Sequence, residues 1–343
     1  MAEKRYEEIM KEITKGLSND AEKDMKYLEE QMEAYKDHEY GKEIVRACGR
    51  MMYELIPEDK KAELISAINK DTKGFEQTLE EARFCIYKKD FEKALKILED
   101  MVNGYEKMNM YSDDAVSEYY CFTEPMQEIM YEFYNKPEKD LRRAQIDYEA
   151  MYFLYGSVLV ELGRIDEAKE ALKKARRWNP TSPTVGFEYA ETFKMEGNFP
   201  VFAKITREIY PYIIRKKDLA RFYRNMGFYY VEVQEYYAAT CCFLFSTGYE
   251  KSSMVPAELY YINQKTGEDY NPSIEELIQC FEEHDIPLGA SKDVIGIAYS
   301  YGKHFYEEVK DMASTAYYWG IVAEFEDDEE INKVLEQISQ EIS

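Results

Sequence analysis

Residues Tyr155–Pro180 read YGSVLVELGRIDEAKEALKKARRWNP, with small residues at Gly156, Ala168 and Ala175, a lone Gly163 in the middle and Pro180 at the end. Apolar residues recur at spacings of three and four on both sides of Gly163. That pattern predicts two helices joined by a glycine-centred turn. Pro180 cannot continue a helix, so it ends the second one. Gly156, Ala168 and Ala175 fall where the two helices and the next unit touch, and larger side chains there would hold them apart.

The pattern repeats. Gly163 and Gly197 are 34 residues apart, as are Phe153 and Phe187, Tyr155 and Tyr189, and the small pair Gly156 and Ala190. A helix, a turn, a second helix and a short link fill that period. One helical hairpin cannot bury its apolar faces alone, so consecutive hairpins must stack.

Residues 149–182 resemble a tetratricopeptide repeat, supplying Tyr152, Tyr155, Gly156, Leu159, Ala168, Leu172, Ala175 and Pro180 in the order and register of that family. Residues 183–216 keep Tyr189, Ala190, Phe193, Gly197 and Phe199 but carry Phe202 where a small residue is expected, which questions the close packing of that pair. Residues 220–253 match through Tyr223, Gly227, Tyr230, Tyr236, Ala239 and Phe243, with three extra residues in the link near Arg215–Lys217. Residues 75–108 match through Ala82, Phe91, Ala94 and Leu98. Helices are expected to continue with a decayed pattern over 109–148 and after 253, where the segment from Ser291 through MASTAYYWGIVAEF suggests one more degenerate hairpin. The resemblance implies an all-α fold, a right-handed superhelical array of antiparallel hairpins (a TPR-like α-solenoid) with additional N- and C-terminal helices. The expected organisation is a helical segment at 1–70, repeats at 71–253 and degenerate hairpins at 254–343. Within the first segment, Ser18-Asn19-Asp20 reads as a helix start, and Gly41 and Pro57 as breaks.

Composition narrows the function. With 44 Lys+Arg against 68 Asp+Glu the net charge is -24. Phosphate backbones and anionic membranes repel such a chain, so neither nucleic acid nor membrane is expected as a partner. The start, MAEKRYEEIMKEI, lacks the apolar run of a signal peptide, and no stretch is apolar enough to span a bilayer. Cys48, Cys85, Cys121, Cys241, Cys242 and Cys280 form no C-x-x-C pair, which predicts reduced, buried thiols in a cytoplasmic protein. His38, His284 and His304 are scattered and flanked by charge. No phosphate loop, nucleophile elbow or metal motif is present in the sequence. The acidic run Glu324–Glu330 reads as a solvated, helix-ending tail. Neither an enzyme nor a cofactor or metal is expected.

Two features remain. The first helices of the clear repeats carry stripes at i, i+4 and i+7: Phe153-Ser157-Val160, Phe187-Glu191-Lys194 and Arg224-Phe228-Val231, with Arg221 one turn earlier. In the resembled family this is the concave, ligand-holding face. The phenylalanines either pack on neighbouring first helices or touch a ligand. Family members that clamp a C-terminal carboxylate use positions held here by Phe153, Ser157 and Glu188, with only Arg221 and Asn225 fitting, so that clamp is incomplete. The second feature is a basic island. Residues 171–224 contain twelve Lys+Arg and five Asp+Glu, a net of +7, leaving -31 for the rest. Such an island suits an acidic peptide or carboxylate, although Lys173, Lys174, Arg176 and Arg177 also complement a helix C-terminus. The expectation is a scaffold that binds a protein or peptide. The alternative is a peptide-responsive regulator, since bacterial regulators of that kind have a similar layout with an N-terminal effector.

Overall fold

The computed structural model describes residues 5–108 and 111–342. Residues 1–4, 109–110 and 343, and the side chains of 58–59, 62–72, 108, 341 and 342, lie outside that description, as does the start of the 109–148 stretch. The fold is an all-α array of antiparallel hairpins. The chain forms two compact units, Met1–Cys121 with Pro137–Met151, and Phe122–Lys136 with Tyr152–Ser343.

The first unit opens with α1 (Tyr6–Lys15), α2 (Ala21–Tyr35) and α3 (Gly41–Leu55), packed on Ile9, Ile13, Leu28, Ile44 and Cys48. Asp20 caps α2 by accepting from Lys23 N at 3.3 Å, the helix start read from the sequence. Pro57 then stands at the head of α4 (Glu58–Tyr87), which runs unbroken through the boundary expected at residue 70. Helix α5 (Phe91–Met108) folds back along it. The next segment departs from the helical expectation. Strands β1 (Ser117–Tyr120) and β2 (Asp140–Arg143) pair in parallel, with α6 (Pro125–Asn135) between them in the sequence. Their sequences, SEYY and DLRR, are too short for a period-two signal.

Helix α6 itself belongs to the second unit. That unit continues with α7 (Tyr148–Glu161), whose first residues lie in the first unit, α8 (Ile165–Trp178), α9 (Pro183–Met195), α10 (Phe199–Ile209), α11 (Lys216–Glu232) and α12 (Tyr236–Ser246). It ends with α13 (Met254–Thr266), α14 (Ile274–Glu283), α15 (Lys292–His304), α16 (Met312–Phe325) and α17 (Glu329–Ile342). The three extra residues of the third repeat fall where a 3-10 turn, Tyr210–Tyr212, precedes α11. The acidic run is not a tail. It links α16 to α17, and Asp328 accepts from Glu330 N and Ile331 N at 3.0 Å each.

Close approach is set by glycine in several hairpins. A Cβ on Gly156 would lie 2.6 Å from Leu172 Cγ, and one on Gly227 would lie 2.9 Å from the Phe243 ring. In the pair whose packing Phe202 questioned, the approach moves to the start of α9, where a Cβ on Gly186 would lie 2.6 Å from Ile209 Cγ1. Phe202 is fully buried and meets Phe228 of the next repeat edge-on at 6.0 Å. The α9–α10 pair therefore keeps its packing by shifting the contact.

Four hairpin turns share one geometry. Five residues after a helical carbonyl, a backbone N–H returns to it: Asp90 to Cys85, Arg164 to Leu159, Asn198 to Phe193 and Glu235 to Tyr230, at 2.8–2.9 Å, and the end of α14 closes in the same way, Ile286 to Phe281. Each closure needs a left-handed residue just before the donor. Gly163 and Gly197 supply it at φ 74, whereas Lys89 (φ 58), Gln234 (φ 65) and Asp285 (φ 50) supply it with a side chain. A side chain in that region costs about 1 kcal/mol. A Cβ on Gly163 would meet nothing within 4 Å, so its φ alone selects glycine. Gln234→Gly is therefore expected to stabilise the protein by about 0.5–1 kcal/mol and Gly163→Ala to destabilise it by about 1 kcal/mol, read as opposite shifts of the urea midpoint.

Candidate functional site

Helices α9 and α11 bring most of the candidate residues together. On α11, Arg221, Arg224, Asn225 and Phe228 occupy i, i+3, i+4 and i+7, which the helical period places on one face. The Arg221 guanidinium lies over the Phe187 ring at 5.1 Å and donates from Nη1 to Glu188 Oε1 at 2.9 Å. One turn along, Lys194 Nζ lies 4.2 Å from the Phe228 ring centroid and pairs with Glu191 at 2.9 Å. Phe228 also meets Phe199 edge-on at 5.9 Å. Cations stacked on aromatic faces are held in place by the ring quadrupole, which fixes these long side chains.

Two expected contributors lie outside this cluster. Phe153 and Ser157 are half-buried on α7, and the Ser157 hydroxyl donates to the Phe153 carbonyl at 2.8 Å. Among the described residues no polar or ring contact joins them to α9 or α11. Phe187 is fully buried, so its ring supports Arg221 instead of facing solvent.

Much of the basic island is matched internally. Arg224 Nη2 donates to Glu250 Oε2 at 2.9 Å, Arg215 to Glu124 at 3.0 Å and Arg176 to Glu208 at 2.9 Å. Arg207 donates to the carbonyls of Asp285 at 2.8 Å and His284 at 3.3 Å, and to the Tyr230 hydroxyl at 2.9 Å. Close to Lys194, burial raises the pKa of the Glu258 carboxyl on α13, opposed by Lys194 and assisted by Glu232. The face thus presents paired charges and aromatic edges.

A polar lock missed by the sequence reading holds α6 in the same unit. Gln127 Oε1 accepts from Thr123 N at 2.9 Å and from Asn179 Nδ2 at 3.0 Å, and the Thr181 hydroxyl donates to the Gln127 carbonyl at 3.2 Å. Glu124 accepts from Arg215 and from the Tyr317 hydroxyl, the latter at 3.1 Å. These partners are distant in sequence and leave no periodic signature. A cavity of about 510 Å³ lies apart from the cluster, among α15, α16 and α17, with Tyr299, Tyr306 and Trp319 in its lining.

No family model matches this chain, and no curated protein matches it. Among solved structures it is similar to PilF of Pseudomonas aeruginosa, at 18% identity and TM-score 0.31, covering 57% of this chain and 84% of that one. It is also similar to the C-terminal part of a TPR repeat-containing protein of Cytophaga hutchinsonii, at 14% identity and TM-score 0.31, covering 75% and 99%.

Two measurements check the electrostatics. Arg221 and Glu188 are each about one-third exposed, so a double-mutant cycle to Ala should give a coupling of about 0.5–1 kcal/mol, weakening with salt. For Glu258, the raised folded-state pKa means that the folded form binds more protons than the unfolded chain between the two pKa values. Stability from this group is therefore full below the unfolded value of about 4.3 and is lost as pH rises through the folded one. Glu258→Gln should raise the urea midpoint at neutral pH, with the gain vanishing in acid.

Proposed function

We propose that the second unit binds a peptide or a helix of a partner protein on the face that includes Phe153, Ser157, Phe187, Glu191, Lys194, Arg221, Arg224 and Phe228. The observation that carries this reading is the cross-helix stacking of Arg221 on Phe187 and Lys194 on Phe228. It holds two cations in fixed positions over one buried and one half-buried ring, and a pre-ordered surface loses little entropy on binding. Phe187 takes part from below, as the platform for Arg221. On this reading the protein is a non-catalytic scaffold.

The six cysteines are buried and free, which supports a reducing, cytoplasmic setting. Among the described residues no helix is long and apolar enough to cross a membrane. A second reading, a peptide-responsive regulator with an N-terminal effector, draws support from α1–α3, which pack on a core of their own around Ile9, Ile13, Leu28, Ile44 and Cys48.

The test is to pan a phage-displayed library of random short peptides against the full chain. Enriched peptides should raise the melting temperature of the wild type and fail to raise that of a folded Arg221→Glu/Arg224→Glu variant. Equal shifts in both proteins would remove this face from the site, and absence of enrichment would count against peptide binding itself.

A further inference from the structure

The cavity of about 510 Å³ among α15, α16 and α17 is large enough for a small organic molecule. Its wall begins on α15, where Tyr299 and Lys303 stand one turn apart. The helix does not run on regularly beyond them. Phe305–Val309 form a π-helical turn, and Asp311 N donates back to the Phe305 carbonyl at 3.1 Å. Such a turn interrupts the α-helical hydrogen-bond ladder and is frequent at functional sites. This one contributes Tyr306 and Glu307 to the lining, while its Phe305 stacks on the core residue Tyr318 at 5.6 Å.

The Trp319 indole is the most buried ring of the lining. Trp319 is 7% exposed, and its Nε1 donates to the Tyr299 carbonyl at 3.3 Å. A Cβ on Gly302 would run into the indole, so α15 backs directly onto it. The Tyr306 ring lies 5.1 Å from the indole by centroids. Tyr299 remains 43% exposed, so the aromatic wall opens to solvent. Ile331 and Val334 of α17 supply the apolar remainder.

The charged lining is mostly acidic, with Glu307, Asp328 and Glu330 against Lys303 and Lys333. Lys303 already approaches Glu307 at 4.0 Å. The link before α17 adds Glu326 and Asp327, and Glu329 follows Asp328. A concave site rimmed by one sign of charge concentrates the opposite sign. An anion is repelled there, and a neutral molecule gains only the rings. A cation gains from both, because aromatic faces attract positive charge. Tyr306 displays that preference within the chain itself, with Lys310 Nζ 5.8 Å from its centroid.

We propose that this cavity is a second ligand site of the second unit and takes a small organic cation, an ammonium head on an apolar body. Tyr299, Tyr306 and Trp319 receive the ammonium, and Glu307 and Glu330 balance its charge. Asp328 stays committed to capping α17. No lining residue comes from α9 or α11, so the site is independent of the peptide-binding face. Because the lining spans three helices, an occupied cavity also ties α17 to α15 and α16.

The experiment titrates the full chain calorimetrically with three probes of similar shape: choline, its neutral carbon isostere dimethylbutanol, and glycine betaine, which adds a carboxylate. Choline should bind at least tenfold more tightly than either of the others and should slow amide exchange in α17. Tyr306→Leu should weaken choline binding at least fivefold. Tyr299→Leu, at a more exposed position, should weaken it severalfold and serves as the ring test if Tyr306→Leu lowers the urea midpoint. Glu307→Gln/Glu330→Gln should weaken it severalfold and remove most of its salt dependence. Failure of choline and of the larger benzyltrimethylammonium to bind at millimolar concentration overturns the proposal. Equal or tighter binding of dimethylbutanol or betaine does so too, as does choline binding unchanged in all of these variants.

Discussion

The left-handed residue at the hairpin turn is the constraint on which the array depends. A helix must stop, reverse within three residues and start again at a fixed angle for its partner to cover its apolar face. The return of one N–H to the carbonyl five residues earlier does this, and it recurs at Asp90, Arg164, Asn198 and Glu235. The turn aims the second helix at the first, and small residues are needed only where the two then come closest, mid-helix at Gly156 and Gly227 and near the helix start at Gly186. Gly156 and Gly227 serve that second purpose and have no part in the turn.

The same geometry accounts for the fate of the basic residues. Stacked hairpins bring each helix against its neighbours, so charges spread along the chain become paired in space. Arg176 reaches Glu208 and Arg221 reaches Glu188, each partner about one repeat away. The carboxylates that match the island come both from within it and from outside it, as Glu124 and Glu250 do. A net charge counted along the sequence therefore overstates the field at any one surface.

How much was legible follows from these causes. The hairpins of 149–246 were readable because glycine and small residues repeat at fixed offsets. Lys89 and Gln234 perform the same turn without glycine, so no residue type marked them. The shift of close approach from Phe202 to Gly186 was hidden because a glycine near a helix start has many other uses. The α6 lock was hidden because Gln127, Asn179 and Thr181 meet only in the folded chain. For the candidate face, the helical period placed Arg221, Arg224 and Phe228 on one side of α11, but it could not show that Arg224 Nη1 and Asn225 Nδ2 lack an acceptor among the described residues. That property belongs to the completed packing.

Helix α11 can carry unsatisfied donors because its other sides are strongly anchored. Phe222, Tyr223, Met226 and Tyr230 are buried in the main core, and the Tyr223 hydroxyl donates to the Pro287 carbonyl and accepts from Gly289 N, both at 2.8 Å. Burial raises the pKa of that hydroxyl far above the usual tyrosine range, which keeps it protonated and fixed in this role. The cost of two orphan N–H groups is then a small fraction of what the helix gains from its packed faces.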